Sequence, residues 1–456
     1  MSAIMAAIEA TPWVSGGLFG FFAAWKTVKF VRGDADLRRS MLLVARIHLR
    51  WRREARMIGL TVTDPTPTLI DRIREDRRYL QRGSRVRYPR LRIRSDRYGV
   101  TVRTRTLPGL GLEEWQRAAR HLADAWGCVR VAVTRPRPGR IQVRAVRVDP
   151  LTEILTWVPD GSVPADLRRV ELGVDEYAAP VHLRLDGVSG VGIYGLPGYG
   201  KTSLVLGLVS RLAPSPCVQL AVIDGKGGGD YEDLAPRIFA LTGDDLEAAN
   251  AALRRLVELR ERRAAVIRQV LGVRNLWQAG PSATWPLVVA IIDEAHTFFA
   301  QVKDGGDKEL KRRNAMAAQN IVLVEDLVKK GRSVGILTIL TTQKGTSDAI
   351  PTSIRDVCAV SMSFAARTDE AAVAALGADI RQYPEASPVA LQDPAYIGVA
   401  VMAVAGRPGF VRVRCPLVED ADVARICRET AGLTADPMLL LEEQIRPRLV
   451  SQADVA

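Results

Sequence analysis

The chain has only five cysteines in 456 residues, Cys128, Cys217, Cys358, Cys415 and Cys427, and no two of them form a C-x-x-C pair. That excludes a zinc ribbon or a disulfide framework and suits small core residues in a reducing compartment. The four histidines, His48, His121, His182 and His296, show no ligand spacing, so a metalloenzyme is not indicated. No internal repeat is visible, which removes solenoids and propellers. No basic stretch precedes the apolar N-terminus, so no cleaved signal peptide is expected. Lysine is missing altogether between Arg38 and Arg147, a span that holds 28 arginines against 9 acidic residues, +19 locally in a chain of net charge +13. Such a block points to a polyanion, either nucleic acid or anionic lipid headgroups, and guanidinium groups suit bidentate phosphate contacts. The plain alternative is solvated surface in a genome that favours arginine.

Long apolar runs are scarce too. Residues 3–25 are mostly apolar, but the unbroken stretch Trp13 to Trp25 is 13 residues, against roughly 20 for a spanning helix. Lys26, Lys29 and Arg32 follow it. The segment reads as a candidate membrane anchor with its C-terminal side cytoplasmic, as an interfacial helix, or as a helix docked on a core.

Residues 37–58 read as a basic amphipathic helix, and 60–97 as an Arg-rich stretch with Pro65, Pro67 and Pro89. The stretch 98–149 has the pattern of a small α/β module. Val100 and Val102 alternate as in a strand. Glu113 to Trp126 places Trp115, Ala119, Leu122 and Trp126 on one helix face. Strands are expected at Val129–Val133 and Ile141–Val148, around the turn Pro136-Arg137-Pro138-Gly139. From about Leu151 strands and helices alternate, the signature of a parallel sheet covered by helices. The strands expected there are 191–195, 218–224, 287–292, 335–342 and 357–364. Residues 436–456 read as a terminal helix with a frayed tail.

The sharpest motif is Gly195-Leu196-Pro197-Gly198-Tyr199-Gly200-Lys201-Thr202, a full match to G-x-x-x-x-G-K-[ST]. It follows an apolar strand pattern and opens an apolar helix pattern, the context that separates a phosphate loop from a chance match. The glycines let backbone N–H groups wrap a triphosphate, and the helix N-terminus adds its dipole. Lys201 would reach the β- and γ-phosphates of ATP, Thr202 would hold Mg²⁺, and Ser203 completes the binding segment.

Leu287 to Ile292 is an apolar strand pattern ending in Asp293 and Glu294. This is a Walker B arrangement: Asp293 for the Mg²⁺ shell, Glu294 to orient and deprotonate the attacking water. A second apolar run, Gly335 to Thr342, ends in Gln343, which would face the γ-phosphate or merely cap the strand. Asp224-Gly225-Lys226-Gly227 follows the 218–224 strand. Lys226 there would contact phosphate or couple to DNA-facing loops, unless the segment is a plain flexible loop.

This set, with Lys330-Gly331-Arg332-Ser333-Val334-Gly335 running into Thr342-Gln343, resembles the FtsK/SpoIIIE family of DNA-pumping ATPases in order and spacing over about 160–420. The N-terminal layout is similar to the family's conjugative-transfer subgroup of actinomycete plasmids and integrative elements. The resemblance implies an α/β fold, with a RecA-like P-loop NTPase motor, a small preceding α/β domain and a basic N-terminal segment. It implies a hexameric ring that moves double-stranded DNA on ATP hydrolysis, at the cytoplasmic face of the cell membrane or in the cytoplasm. It also implies a partition into 1–36, 37–97, 98–160, 161–420 and 421–456.

Three departures stand out. Relatives usually carry an Arg at the start of the strand after the Gln motif and another just past Asp369, where this chain has Val357-Cys358-Ala359 and Glu370-Ala371. The arginine that would complete a neighbour's site is therefore open among Arg332, Arg355 and Arg367. Forty-one positions separate Glu294 from Gly335, and the charged stretch Lys303 to Arg313 within them reads as a pore or subunit-contact loop. Too few residues follow the motor for the family's winged-helix domain. An FtsK-like ATPase driving protein secretion is the alternative function, set back by the single motor module. A helicase reading of Asp293-Glu294-Ala295-His296 fails for want of its companion motifs. A non-hydrolysing assembly factor does not suit the intact Asp293 and Glu294.

Overall fold

The computed structural model describes residues 30–64, 85–303, 305–343 and 349–453, with side chains to 446. The apolar segment 3–25 and the residues 65–84 of the Arg-rich stretch lie outside them. Among the described residues no helix is long and apolar enough to cross a membrane. The chain divides into two compact units, up to Pro150 and from Leu151.

In the first unit, helix α1 (Ala35–Met57) starts where Asp34 accepts a hydrogen bond from the Leu37 amide. Leu43, Ile47, Trp51 and Ala55, spaced four apart, form its buried face. A short ladder joins β1 (Val62–Asp64) to β2 (Arg85–Arg87). Strands β3 (Arg92–Asp96), β4 (Gly99–Arg105), β5 (Arg130–Arg137) and β6 (Arg140–Val146) make an antiparallel sheet in the order β3-β4-β6-β5. The helix expected over 113–126 is two, α2 (Leu112–Arg117) and α3 (Ala119–Trp126), interrupted at Ala118. Trp51 stacks on Trp115 with centroids 5.8 Å apart. Trp126 and Leu122 join them over Val100, Val102, Ile141 and Val143. The helix and strands that the sequence pattern divides between an Arg-rich segment and a small domain thus share one core.

The second unit is built on a ten-stranded sheet. Its strands are β7 (Arg169–Asp175), β8 (Pro180–Arg184), β9 (Gly190–Tyr194), β10 (Val218–Asp224), β11 (Ile238–Thr242), β12 (Leu287–Asp293), β13 (Ile336–Thr342), β14 (Val360–Ser363), β15 (Val399–Ala403) and β16 (Phe410–Arg414). The order is β11-β10-β12-β13-β9-β14-β15-β16-β7-β8. The six from β11 to β14 run parallel, and the remaining pairings are antiparallel. All five expected strands are present, with ends shifted by up to three residues. The parallel strands are continuous apolar runs because both faces are covered. In β12, Leu287, Val289 and Ile291 enter one core, while Val288, Ala290 and Ile292 enter the other. Helices α4 (Lys201–Leu212) and α7 (Asp420–Glu429) cover the first face. Helices α5 (Leu246–Leu271), α6 (Lys308–Lys330) and α8 (Pro437–Ala453) cover the second. Of the charged stretch expected as a loop, the described residues are loop only to Asp307. That residue caps α6, and Lys308 to Arg313 form the helix's first turns.

Candidate nucleotide site

The C-terminal ends of β9, β10, β12 and β13 meet at one edge of the sheet, the usual place for a ligand in an open parallel sheet. The register sets Asp224 beside Asp293 and Tyr194 beside Thr342. Residues 195–200 arch from β9 to the start of α4. Gly195 has φ +144°, and a Cβ there would lie 2.7 Å from Phe364 Cβ. Gly200, at φ +104°, would put a Cβ 3.1 Å from Gly398 Cα. Both positions therefore need glycine for conformation and for space. The Leu196 amide donates to the Ala365 carbonyl at 2.9 Å, and the Gly398 amide donates to the Tyr199 carbonyl at 3.1 Å. The Tyr199 hydroxyl donates to the Gln392 carbonyl at 2.9 Å. The loop is thus braced from two sides by chain far downstream.

Lys201 is 6 % exposed. Its Nζ donates to the carbonyls of Gly195 at 2.8 Å and Leu196 at 2.9 Å. Burial lowers its pKa to about 8, against the opposing pull of Glu294 and Asp293. Thr202 is half-buried. Ser203 Oγ is buried without a hydrogen-bond partner among the described residues.

Asp293 and Glu294 are both buried at the end of β12. Thr341 ties them together: its hydroxyl donates to Asp293 Oδ1 and accepts from the Glu294 amide at 3.2 Å. The Gln343 amide donates to Glu294 Oε1 at 3.1 Å. His296 Nδ1 lies 2.7 Å from the same oxygen, but its direction is not that of a hydrogen bond. Glu294 itself has φ +46°, a left-handed conformation that costs a non-glycine residue on the order of 1 kcal/mol. Gly225 makes room for the bend, since a Cβ there would sit 2.8 Å from the Glu294 carbonyl oxygen. Burial raises the Asp224 pKa, helped by the neighbouring Asp293 charge. Burial likewise raises that of Tyr231, again with Asp293 next in effect. Lys226 pairs with Asp230 at 2.6 Å.

A cavity of about 370 Å³ opens beside the loop, lined among others by Gly195, Pro197, Gln343, Arg355 and Arg367. Two of the three arginine candidates therefore border the phosphate loop of their own chain. Arg332 stands elsewhere, exposed in the turn Gly331–Val334 that leads into β13, at the opposite end of that strand from Gln343.

The site's oxygens are those of a hard cation's partners, a Thr202 hydroxyl and the Asp293 carboxylate, and Mg²⁺ binds through one or two such groups plus phosphate oxygens. No group of three or more His, Cys, Asp or Glu among the described residues could hold a metal by itself. The residues present fit Mg²⁺ carried by a nucleotide. Thr341, Tyr231 and the brace at 388–398 escaped the sequence reading. Only Thr341 left a signal there, as the polar residue two before Gln343.

Residues 37–147 match the family described as the actinomycete conjugal transfer protein N-terminal domain, and residues 158–359 match the FtsK/SpoIIIE family. No curated protein matches the chain. Among solved structures, the chain is similar to the pCW3 conjugation coupling protein TcpA, a monomer form with ATPγS. The identity is 15 % over 78 % of this chain and 94 % of that one, with a TM-score of 0.49. It is also similar to the cytoplasmic domain of the type VII secretion ATPase EccC of Thermomonospora curvata. That likeness has 20 % identity over 64 % of this chain and 34 % of that one, with a TM-score of 0.46. The chain thus spans about a third of the EccC domain's length. EssC (ATPases 2 and 3) of Geobacillus thermodenitrificans is similar at 16 % identity over 61 % and 51 %, with a TM-score of 0.44.

Proposed function

Since the chain is an FtsK/SpoIIIE-family ATPase that carries an actinomycete conjugal-transfer N-terminal domain, we propose that it is an ATP-driven translocase of double-stranded DNA. It would act as a homo-hexameric ring in conjugative transfer or chromosome partition, at the cytoplasmic face of the membrane or in the cytoplasm. The observation that carries the reading is the assembly at one sheet edge of Lys201, Asp293, Glu294 and Gln343, with Glu294 held from β13.

In this reading the backbone amides of Gly198 to Ser203 and the Lys201 ammonium bind the triphosphate. Thr202 and Asp293 would hold Mg²⁺, which would neutralise phosphate charge. Glu294 accepts the proton of the attacking water, and its strained, tethered backbone keeps the carboxylate aimed. Gln343 lies on the same strand end as Thr341. A shift of β13 on loss of the γ-phosphate would therefore reach both acidic residues. Arg355 and Arg367 act from within the same subunit, and Arg332 is the candidate for a neighbour's site.

The test is ATP hydrolysis by the purified chain with no nucleic acid, with single-stranded DNA and with long linear duplex, Lys201→Ala serving as blank. Strong stimulation by duplex, lost in the blank, is the expected result. Turnover indifferent to both DNAs would sink the translocase reading and favour the secretion alternative.

A further inference from the structure

The positive charge of the first unit is arranged by strand register, not scattered. Alternate residues of β3, β4, β5 and β6 point away from the tryptophan core, and within the first unit the described helices α1, α2 and α3 pack on the core side. Arg105, Arg140 and Arg137 stand side by side across three strands. The next row is Arg92, Arg103, Gln142 and Thr134, and the one beyond it Arg94, Thr101, Arg144 and Ala132. Seven arginines thus share one sheet face: Arg92, Arg94, Arg103, Arg105 and Arg137 are exposed, Arg140 is half-buried, and the Arg144 side chain is 12 % exposed. Asp96 pairs with Arg144 at 2.6 Å, whereas Arg103 donates at 3.0 Å to Gln142, which carries no charge. Arg140 is drawn below its ordinary pKa by desolvation and then by the charges of Arg105, Arg137 and Arg92, as expected of cations crowded without a counterion.

We propose that this arginine face is a surface for the phosphate backbone of duplex DNA, built into the N-terminal unit and separate from the residues of the motor. Strands about 4.8 Å apart make the four-stranded face roughly 14 Å wide. Duplex DNA carries one charge per about 1.7 Å of axis, so several phosphates fall within that width. Thr101 and the Gln142 amide interleave hydrogen-bonding groups with the arginines, the mixture that contacts phosphate and sugar without reading bases. The rows hold no aromatic ring on which unpaired bases could stack, which disfavours single strands. They present no large apolar residue to insert among lipids. The solvent side of α1 differs: its arginines alternate with Leu42 and Leu49, 58 % and 87 % exposed. The choice of DNA among polyanions rests on the translocase reading above.

The experiment uses the full chain without nucleotide, a labelled duplex and a salt series. Replacing Arg92, Arg105, Arg137 and Arg140 together by Gln should flatten the slope of log affinity against log salt by roughly 3 to 4, at about 0.9 per lost phosphate contact. Affinity at low salt should fall more than about tenfold. DNA-free ATP turnover and the melting midpoint should stay unchanged. Arg92→Gln and Arg137→Gln alone should each remove about one unit of slope, which keeps the test sound if the quadruple variant does not fold. A charge-matched variant of α1, with Arg38, Arg46, Arg50 and Arg53 changed to Gln, should keep the wild-type slope. The proposal is overturned by a face variant with unchanged slope, by a loss that appears equally in the α1 variant, or by a variant that binds duplex normally but no longer binds phosphatidylserine vesicles. Should the wild type bind duplex through this face while its ATP turnover ignores duplex, the translocase reading fails and this one stands.

Discussion

The backbone amide of Gln343 donates to the carboxylate of Glu294 at 3.1 Å. The residue expected to sense the γ-phosphate and the residue expected to activate water are therefore joined directly by the protein. Together with Thr341 this makes the end of β13 the mounting for both acidic groups of β12.

Glu294→Gln keeps the side chain's shape and one oxygen for the Gln343 amide, and removes the base. Turnover should fall about 10²- to 10⁴-fold, with ATP affinity within a few-fold of wild type. Nucleotide binding by fluorescence and steady-state hydrolysis check this together. Unimpaired turnover would remove Glu294 from the chemistry.

Thr341→Val conserves volume but leaves the Asp293 oxygen and the Glu294 amide without their shared partner. A buried polar group left unpaired costs about 1–3 kcal/mol, so the melting midpoint should drop by several degrees. The Mg²⁺ concentration giving half-maximal hydrolysis should rise. Thr341→Ser, which keeps the hydroxyl, should restore the Mg²⁺ requirement. A Val variant with normal Mg²⁺ dependence would show that Thr341 matters only for folding.

Burial lowers the Lys201 pKa to about 8. A triphosphate beside it favours the charged form, so the bound pKa is higher. Binding then takes up a proton whenever the free lysine is neutral. ATP affinity should be level below pH 8 and should decline above it, by up to one log unit per pH unit, until the bound pKa is reached. Titration calorimetry in buffers of different ionisation heat reads the proton directly. Affinity independent of pH between 7 and 9.5 would contradict the assignment.

Gly195→Ala forces a Cβ to 2.7 Å from Phe364 Cβ at φ +144°. Nucleotide affinity should drop by more than about tenfold, since the loop's first turn must open. Gly198→Ala, at φ +78° with no atom within 4 Å of the added Cβ, carries strain alone and should be the milder change. The reverse ranking in an ATP-binding assay would reject the account of the loop.

Arg332→Ala should leave ATP binding intact and reduce turnover only under conditions where subunits associate. Arg355→Ala and Arg367→Ala should affect turnover at every protein concentration, since both border their own chain's loop cavity. Hydrolysis measured across protein concentration separates the two patterns.

The nucleotide site was legible along the chain because its chemistry is local. A phosphate loop needs glycines at fixed offsets, and a strand buried on both faces needs an unbroken apolar run, so Gly195 to Thr202 and Leu287 to Glu294 announce themselves. The same locality exposed the five strands that flank the site and the basic bias of the N-terminal third. Only the tertiary structure brought Thr341 to Asp293, or Gly398 to Tyr199, because those contacts join residues 48 and 199 positions apart, and no periodicity encodes them. The antiparallel wing of β7, β8, β15 and β16 was missed because its order depends on which edges remain open after the parallel strands pair. Charge was the least readable quantity of all. Arg263 is 1 % exposed, donates to the carbonyls of Pro286 and Val334 at 3.0 Å each, and has its pKa lowered to about 9 by burial. Arg92, Arg105 and Arg137, identical in composition, stand in solvent on one sheet face. The sequence alone determined how many arginines there are and where the phosphate loop lies. Strand register and burial, which follow from long-range pairing, decided which arginines plug carbonyls and which are free to meet a polyanion.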